Sequence, residues 1–223
     1  MIPTPDSAPA RRFLARGVLI VFEGIDGAGK STQVKRLTDH LRELGFMVRV
    51  DREPTDGPHG RRLRASATEG RLGASEELEL FIADRREHVT NFIGPGLERG
   101  DVVILDRYYF SNAAYQGSRG LDWMEILRLN EEFAPPPDLL LWLDLAPEFS
   151  GDRIQGRGNG SNEFEKLELL QRCRGIFSRI QHPSLCRIDA GLGIDVVSGL
   201  ILKRTIALLE QRLAAPRDPS LHS

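Results

Sequence analysis

Apolar positions along the chain fall into short runs separated by helix-length amphipathic stretches. Five runs, residues 18–22, 46–50, 102–105, 139–143 and 186–188, read as strands. Most are continuous rather than alternating, the pattern of strands buried on both faces. Between the first two, Val34, Leu37, Leu41 and Leu44 recur at helical spacing and Gly45 follows as a stop, which predicts a helix packed on the sheet. A longer helix is predicted after Ser75, with the Ser75 hydroxyl as cap and Glu76 and Glu77 favouring the positive helix start. It should run to about residue 93, where Gly94-Pro95-Gly96 disturbs it. Pro135-Pro136-Pro137 ends another helix before the fourth strand, and residues 194–213 read as a last helix. Strands alternating with helices predict an α/β fold, a five-stranded parallel sheet with helices on both faces.

Composition narrows this to one domain. With 223 residues, 40% of them hydrophobic, the chain can build a single sizeable core, expected over residues 17–213. Residues 1–16 and 214–223 read as loose tails, and the first of them lacks the apolar segment of a secretory signal. The Gly- and Arg-rich residues 151–162 read as a short flap. Thirty basic residues against 32 acidic ones give a net charge of −2, so no broad basic field is available for nucleic acid or a membrane surface. Every apolar run is far shorter than the roughly 20 residues that cross a bilayer. Cys173 and Cys186 form no metal knuckle or disulfide framework, and a cytoplasmic protein is expected.

The strongest chemical signal is Gly24-Ile25-Asp26-Gly27-Ala28-Gly29-Lys30-Ser31, followed by Thr32. It satisfies G-x-x-x-x-G-K-[ST], follows the first predicted strand and opens the first predicted helix. Glycines let successive backbone N–H groups turn inward around phosphate oxygens, and the helix start adds its positive end. Lys30 would reach the β- and γ-phosphates of a nucleoside triphosphate, and the Ser31 hydroxyl would take Mg²⁺. Asp106, ending an apolar strand, has the placement of a carboxylate near that metal.

Two classes of phosphate-loop protein compete: kinases for small acceptors, and switches that hydrolyse the nucleotide. The chain has no Asn-Lys-x-Asp element for reading guanine, which argues against a switch. Arginines instead stand where an acceptor phosphate would sit: Arg52 past the second strand, Arg107 past the third, and Arg153 and Arg157 in the flap. Ligands of open α/β sheets bind at these carboxyl ends of strands.

Five elements in order resemble the thymidylate kinase family. They are the Phe22-to-Thr32 segment around the loop, Arg52-Glu53-Pro54, the segment from Phe81 to Arg85, Asp106-Arg107-Tyr108, and Tyr115-Gln116-Gly117. The resemblance implies ATP as donor with Mg²⁺, dTMP as acceptor, a P-loop nucleoside monophosphate kinase fold and a homodimer. It places Arg52 and Arg107 on the acceptor phosphate, and Asp26 near the sugar hydroxyl and the metal. Phe81 would stack on thymine, and Arg85, one helical turn on, would donate to thymine O4. Tyr115 would lie under the sugar, with Asn112 and Gln116 completing the acceptor set. With Ala28 inside the loop, catalytic arginines are expected from the flap, as Arg153 and Arg157.

Two stretches depart from the family pattern. Many relatives carry Asp-Arg before an aromatic-Glu pair, where this chain has Ser161-Asn162-Glu163-Phe164-Glu165. After Pro54 the chain reads Thr55-Asp56-Gly57 in place of Gly-Gly-Thr. A kinase of another nucleotide or nucleoside, and a nucleotide-binding regulatory module without turnover, stay open as alternatives.

Overall fold

The computed structural model describes residues 11–70, 72–150 and 160–213. Five parallel strands form one sheet in the order β2-β3-β1-β4-β5: β1 Val18–Glu23, β2 Val48–Arg52, β3 Val102–Asp106, β4 Leu139–Asp144 and β5 Leu185–Asp189. Every residue of β1 and β4 is buried, as the continuous apolar runs require. The β1–β3 register pairs Val18 with Val102 and Phe22 with Asp106, which brings the ends of both strands to the same edge.

Among the described residues, eight α-helices connect and cover the strands: α1 Lys30–Glu43, α2 Pro58–Glu69, α3 Ala74–His88, α4 Gly94–Glu98, α5 Tyr109–Gly117, α6 Trp123–Glu131, α7 Gly160–Phe177 and α8 Ile194–Glu210. Helix α1 packs with α8, while α5 packs with α3, α6 and α7, so the sheet is covered on both faces. The main core joins the strands to Leu37 and Leu41 of α1, Tyr109 and Phe110 of α5, and Ile201 of α8.

Several boundaries differ from the sequence expectation. Strand β2 starts at Val48 and not at Phe46, because the Phe46 N–H bonds back to the Leu41 carbonyl and closes α1. Ser75 does not cap α3. The helix starts at Ala74, the extended Gly73 is its cap, and Ser75 lies inside the first turn. The helix expected to stop near residue 93 continues. A π-helical turn over Val89–Ile93 lets the Gly94 N–H bond the Val89 carbonyl, and Pro95 then falls in the first turn of α4, where no N–H is needed. Residues 11–16, included in the expected loose tail, are held: the Arg12 N–H bonds the Gly45 carbonyl, the Ala15 N–H bonds the Arg212 carbonyl, and Leu14 is buried. The last helix ends at Glu210, and Leu213 pairs with Leu14 in an isolated bridge. Of the expected flap, residues 160–162 open α7, while 151–159, with Arg153 and Arg157, lie outside the described residues. Among the described residues, no helix is long and apolar enough to cross a membrane.

Candidate active site

The phosphate-binding loop joins β1 to α1. Gly24 has φ 140°, and a Cβ there would stand 2.5 Å from the Leu143 carbonyl oxygen; Gly29 caps α1 with φ 88°. Both positions demand glycine. Lys30 is buried, with Nζ donating to the carbonyls of Gly24 (3.1 Å) and Ile25 (2.9 Å). Burial, followed by the charge of Arg107, pushes its ammonium down to about 8, against the upward pull of Asp106, Asp26 and Glu23. Ser31 Oγ donates to Asp106 Oδ2 at 2.6 Å. The serine and aspartate oxygens are hard donors of the kind Mg²⁺ takes beside phosphate oxygens, so the expected metal fits the residues present.

Arg107 follows β3 in a left-handed conformation, φ 75°, uncommon for a side chain of this size. Its backbone N–H bonds the Phe22 carbonyl, and its guanidinium reaches Asp26 Oδ1 (2.6 Å), Ser111 Oγ (2.8 Å), the Gly24 carbonyl (3.3 Å) and the Tyr115 hydroxyl (3.4 Å). What fixes this geometry is Glu23 at the end of β1. Its carboxylate accepts from the backbone N–H groups of Tyr108 (2.8 Å) and Ser111 (3.0 Å) and from Ser111 Oγ, satisfying donors at the start of α5. Burial pushes the Glu23 carboxyl up to about 7, opposed by Ser111 and Arg107.

Two cavities open at this edge of the sheet. One of about 830 Å³ runs along the loop and is lined by residues 26–33, Arg52, Asp106 and, at its far end, by Leu192 and Ile194. The other, of about 400 Å³, lies between α2, α3 and α5 and is lined by Phe81, Arg85, Asn112, Tyr115 and Gln116. Asp26, Glu53 and Arg107 line both. The sequence-predicted acceptor residues are therefore brought together, except that exposed Arg52 faces the first cavity and pairs with Asp56 at 3.2 Å.

Arg85 is 1% exposed. Its Nε (2.8 Å) and Nη2 (2.6 Å) both engage Glu53 Oε2, Nη1 donates to Asn130 Oδ1 and, at 3.5 Å, to Asn112 Oδ1, and the guanidinium lies over the Tyr108 ring. Asn112 Nδ2 donates to Gln116 Oε1 (2.7 Å), and Gln116 Nε2 donates to Glu77 (3.1 Å), so Gln116 serves Asn112 as well as lining the cavity.

Several residues important here were given no role from sequence. Glu23 and Glu53 are buried carboxylates that hold other site residues. Asp84 accepts from the Thr55 N–H (2.8 Å) and Thr55 Oγ1 (2.6 Å), which fixes the departing Thr55-Asp56-Gly57 turn. Leu63, Arg64 and Ser66 enter the smaller cavity from α2, a helix signalled only by Pro58 in its first turn.

A parallel sheet with a phosphate loop, and a second cavity sharing a charged wall with the loop's own, define a P-loop phosphotransferase for a small acceptor. The family model described as Thymidylate kinase matches residues 22–201. The thymidylate kinase of Xanthomonas oryzae pv. oryzae strain PXO99A is 48% identical over 204 residues, 92% of this chain and 89% of the relative. That of Xanthomonas campestris pv. campestris strain B100 is 48% identical over 197 residues, 88% and 86% of the two chains. The thymidylate kinase of Desulfotalea psychrophila is 46% identical over 196 residues, 87% and 96%. The chain belongs to the thymidylate kinase family, phosphotransferases acting on dTMP.

Proposed function

We propose that the protein moves the terminal phosphoryl group of ATP onto the 5′-phosphate of dTMP, giving dTDP for nucleotide synthesis. The observation that carries this reading is the wall common to both cavities: Asp26, Glu53 and Arg107 stand where a donor phosphate from one side and an acceptor phosphate from the other would meet.

In this reading ATP lies along residues 24–32, with Lys30 on its β- and γ-phosphates. Mg²⁺, held at Ser31 and Asp106, supplies charge neutralisation to the phosphate oxygens when bound. The acceptor enters the smaller cavity. Phe81 lies against the base, Arg85 donates to O4, Asn112, Tyr115 and Gln116 line the base and sugar, and Asp26 stands near the sugar hydroxyl. Arg107 shifts part of its charge from Asp26 to the acceptor phosphate, joined by Arg52, and Arg153 and Arg157 come from the flap. A phosphate oxygen is anionic at pH 7, so no general base is required and catalysis is positioning plus electrostatics.

Base selection follows from the donor character of Arg85. Its contacts to Glu53, Asn130 and Asn112 engage four of its five N–H groups, which leaves one for a carbonyl. Cytosine offers an amino group at that position, and polar mismatches of this kind are worth about 10⁴–10⁵ in specificity. Uracil lacks only a methyl, worth roughly 1–3 kcal/mol, so dUMP should be a poorer but usable acceptor. Turnover with dTMP, dUMP, dCMP, UMP and CMP, followed by ADP release, tests the assignment. Equal or faster turnover of a cytosine nucleotide would sink the base reading, and ATP binding without ADP release on any monophosphate would sink transfer. The reading includes a homodimer, to be checked by sedimentation at micromolar concentration.

A further inference from the structure

We infer that His88 is a positioning residue for acceptor recognition, holding Glu53 and through it the guanidinium of Arg85. The inference rests on the reading in which Arg85 addresses the base.

The geometry starts from two periodicities. Asp51 and Glu53 alternate onto one side of the β2 strand end, while Arg85 and His88, three apart, share one face of α3. Glu53 therefore meets both. Its Oε2 takes Nε and Nη2 of Arg85, and its Oε1 stands 3.0 Å from His88 Nδ1. His88 Nε2 lies 3.4 Å from Asp51 Oδ2, and the Phe92 ring packs against the imidazole at 5.3 Å. His88, Glu53 and Arg85 are 5%, 5% and 1% exposed.

Charge balance gives the histidine its task. Asp51 and Glu53 bring two carboxylates, and Arg85 alone brings one positive charge. Protonated His88 balances the second carboxylate. Asp51 is part-exposed and also feels the Arg52 charge, so Glu53 is the buried carboxylate that needs its partners, since buried charge is tolerated only when paired. A carboxylate has room for about four hydrogen bonds, and His88 occupies the oxygen that Arg85 leaves. Without that contact, Glu53 is free to turn about its terminal torsion, and the guanidinium loses the fixed edge that aims its remaining N–H. His88 itself lines neither cavity, so it acts on the acceptor only through Glu53.

The test is steady-state kinetics of the full chain, with dTMP and ATP varied in turn and dCMP as the competing acceptor. His88→Ala should raise KM for dTMP by about tenfold or more and narrow the dTMP-over-dCMP ratio of kcat/KM, with KM for ATP within about twofold. His88→Asn, which offers an amide N–H near the position of Nδ1, should recover part of both losses. Wild-type KM and selectivity in His88→Ala would overturn the inference. So would a uniform decline of both substrates with the selectivity ratio intact, the signature of general loosening. Should His88→Ala not fold, Glu53→Gln and His88→Asn carry the same comparison, and an unchanged ratio in both overturns it. Arg85→Ala, assayed alongside, separates the two readings: retained discrimination there overturns the base assignment, whereas loss there but not in the His88 variants overturns only the role of His88.

Discussion

Lys30 and Arg107 show how much of the site depends on where a charge is held. Lys30 is buried with Nζ held on two loop carbonyls, which in the proposed reading places its ammonium beside the phosphate oxygens in advance. Lys30→Ala should lower kcat by about 10²-fold or more while leaving the thermal melt close to wild type, measured by ADP release and circular dichroism. A comparable loss of melting temperature would assign the residue to folding instead. Asp56 is the opposite case. Its carboxylate takes Arg52 at 3.2 Å and Arg64 at 2.7 Å on an exposed surface, and in the proposed reading, where Arg52 addresses the acceptor phosphate, it competes with that phosphate for Arg52. Asp56→Asn should therefore lower KM for dTMP, by no more than the few-fold that exposed pairs of up to about 1 kcal/mol allow. A raised KM would show that the pair organises the loop.

At the scale of elements, β2 and α3 are joined by buried charge, and that has a pH signature. Burial alone would lower the His88 imidazole, but its contact with Glu53 and the nearby Asp51 carboxylate outweigh this and raise it to about 9 from an ordinary 6.5. The folded state then holds the proton more tightly than the unfolded chain. The stabilisation is complete below about pH 6.5 and is lost as pH rises through about 9, by at most about 3–4 kcal/mol at about 1.4 kcal/mol per unit. Urea unfolding midpoints should fall across that window in the wild type and stay flatter in His88→Asn. Glu23 joins β1 to α5, and Glu23→Ala should cost about 2–5 kcal/mol by stranding two backbone N–H groups and the Ser111 hydroxyl, read from the same titrations.

The same elements show what could be read from the chain. Strands β1, β3 and β4 were legible because all but the last residue of β3 is buried, which leaves unbroken apolar runs. Strand β2 lies at the sheet edge and ends in Asp51 and Arg52, so its polar half resembled a loop while Phe46 extended the apparent run upstream. Helix α2 escaped because Arg61, Arg62 and Arg64 dilute its apolar face. In the site, the phosphate loop was legible since its glycines and Lys30 follow a fixed local spacing. The roles of Glu23, Glu53, Asp84 and His88 were not, because they hold other residues in place, and such partnerships across the fold leave no local spacing to read.

Taken whole, the molecule gives its two cavities a common boundary instead of a partition. Asp26, Glu53 and Arg107 face both. A single compound carrying an adenosine and a thymidine at opposite ends of a polyphosphate chain could then occupy both cavities at once. Once one end is seated, the other searches a volume set by the tether, at an effective concentration in the millimolar range. The joined compound would lose rotational and translational freedom once instead of twice, and should inhibit competitively against each substrate.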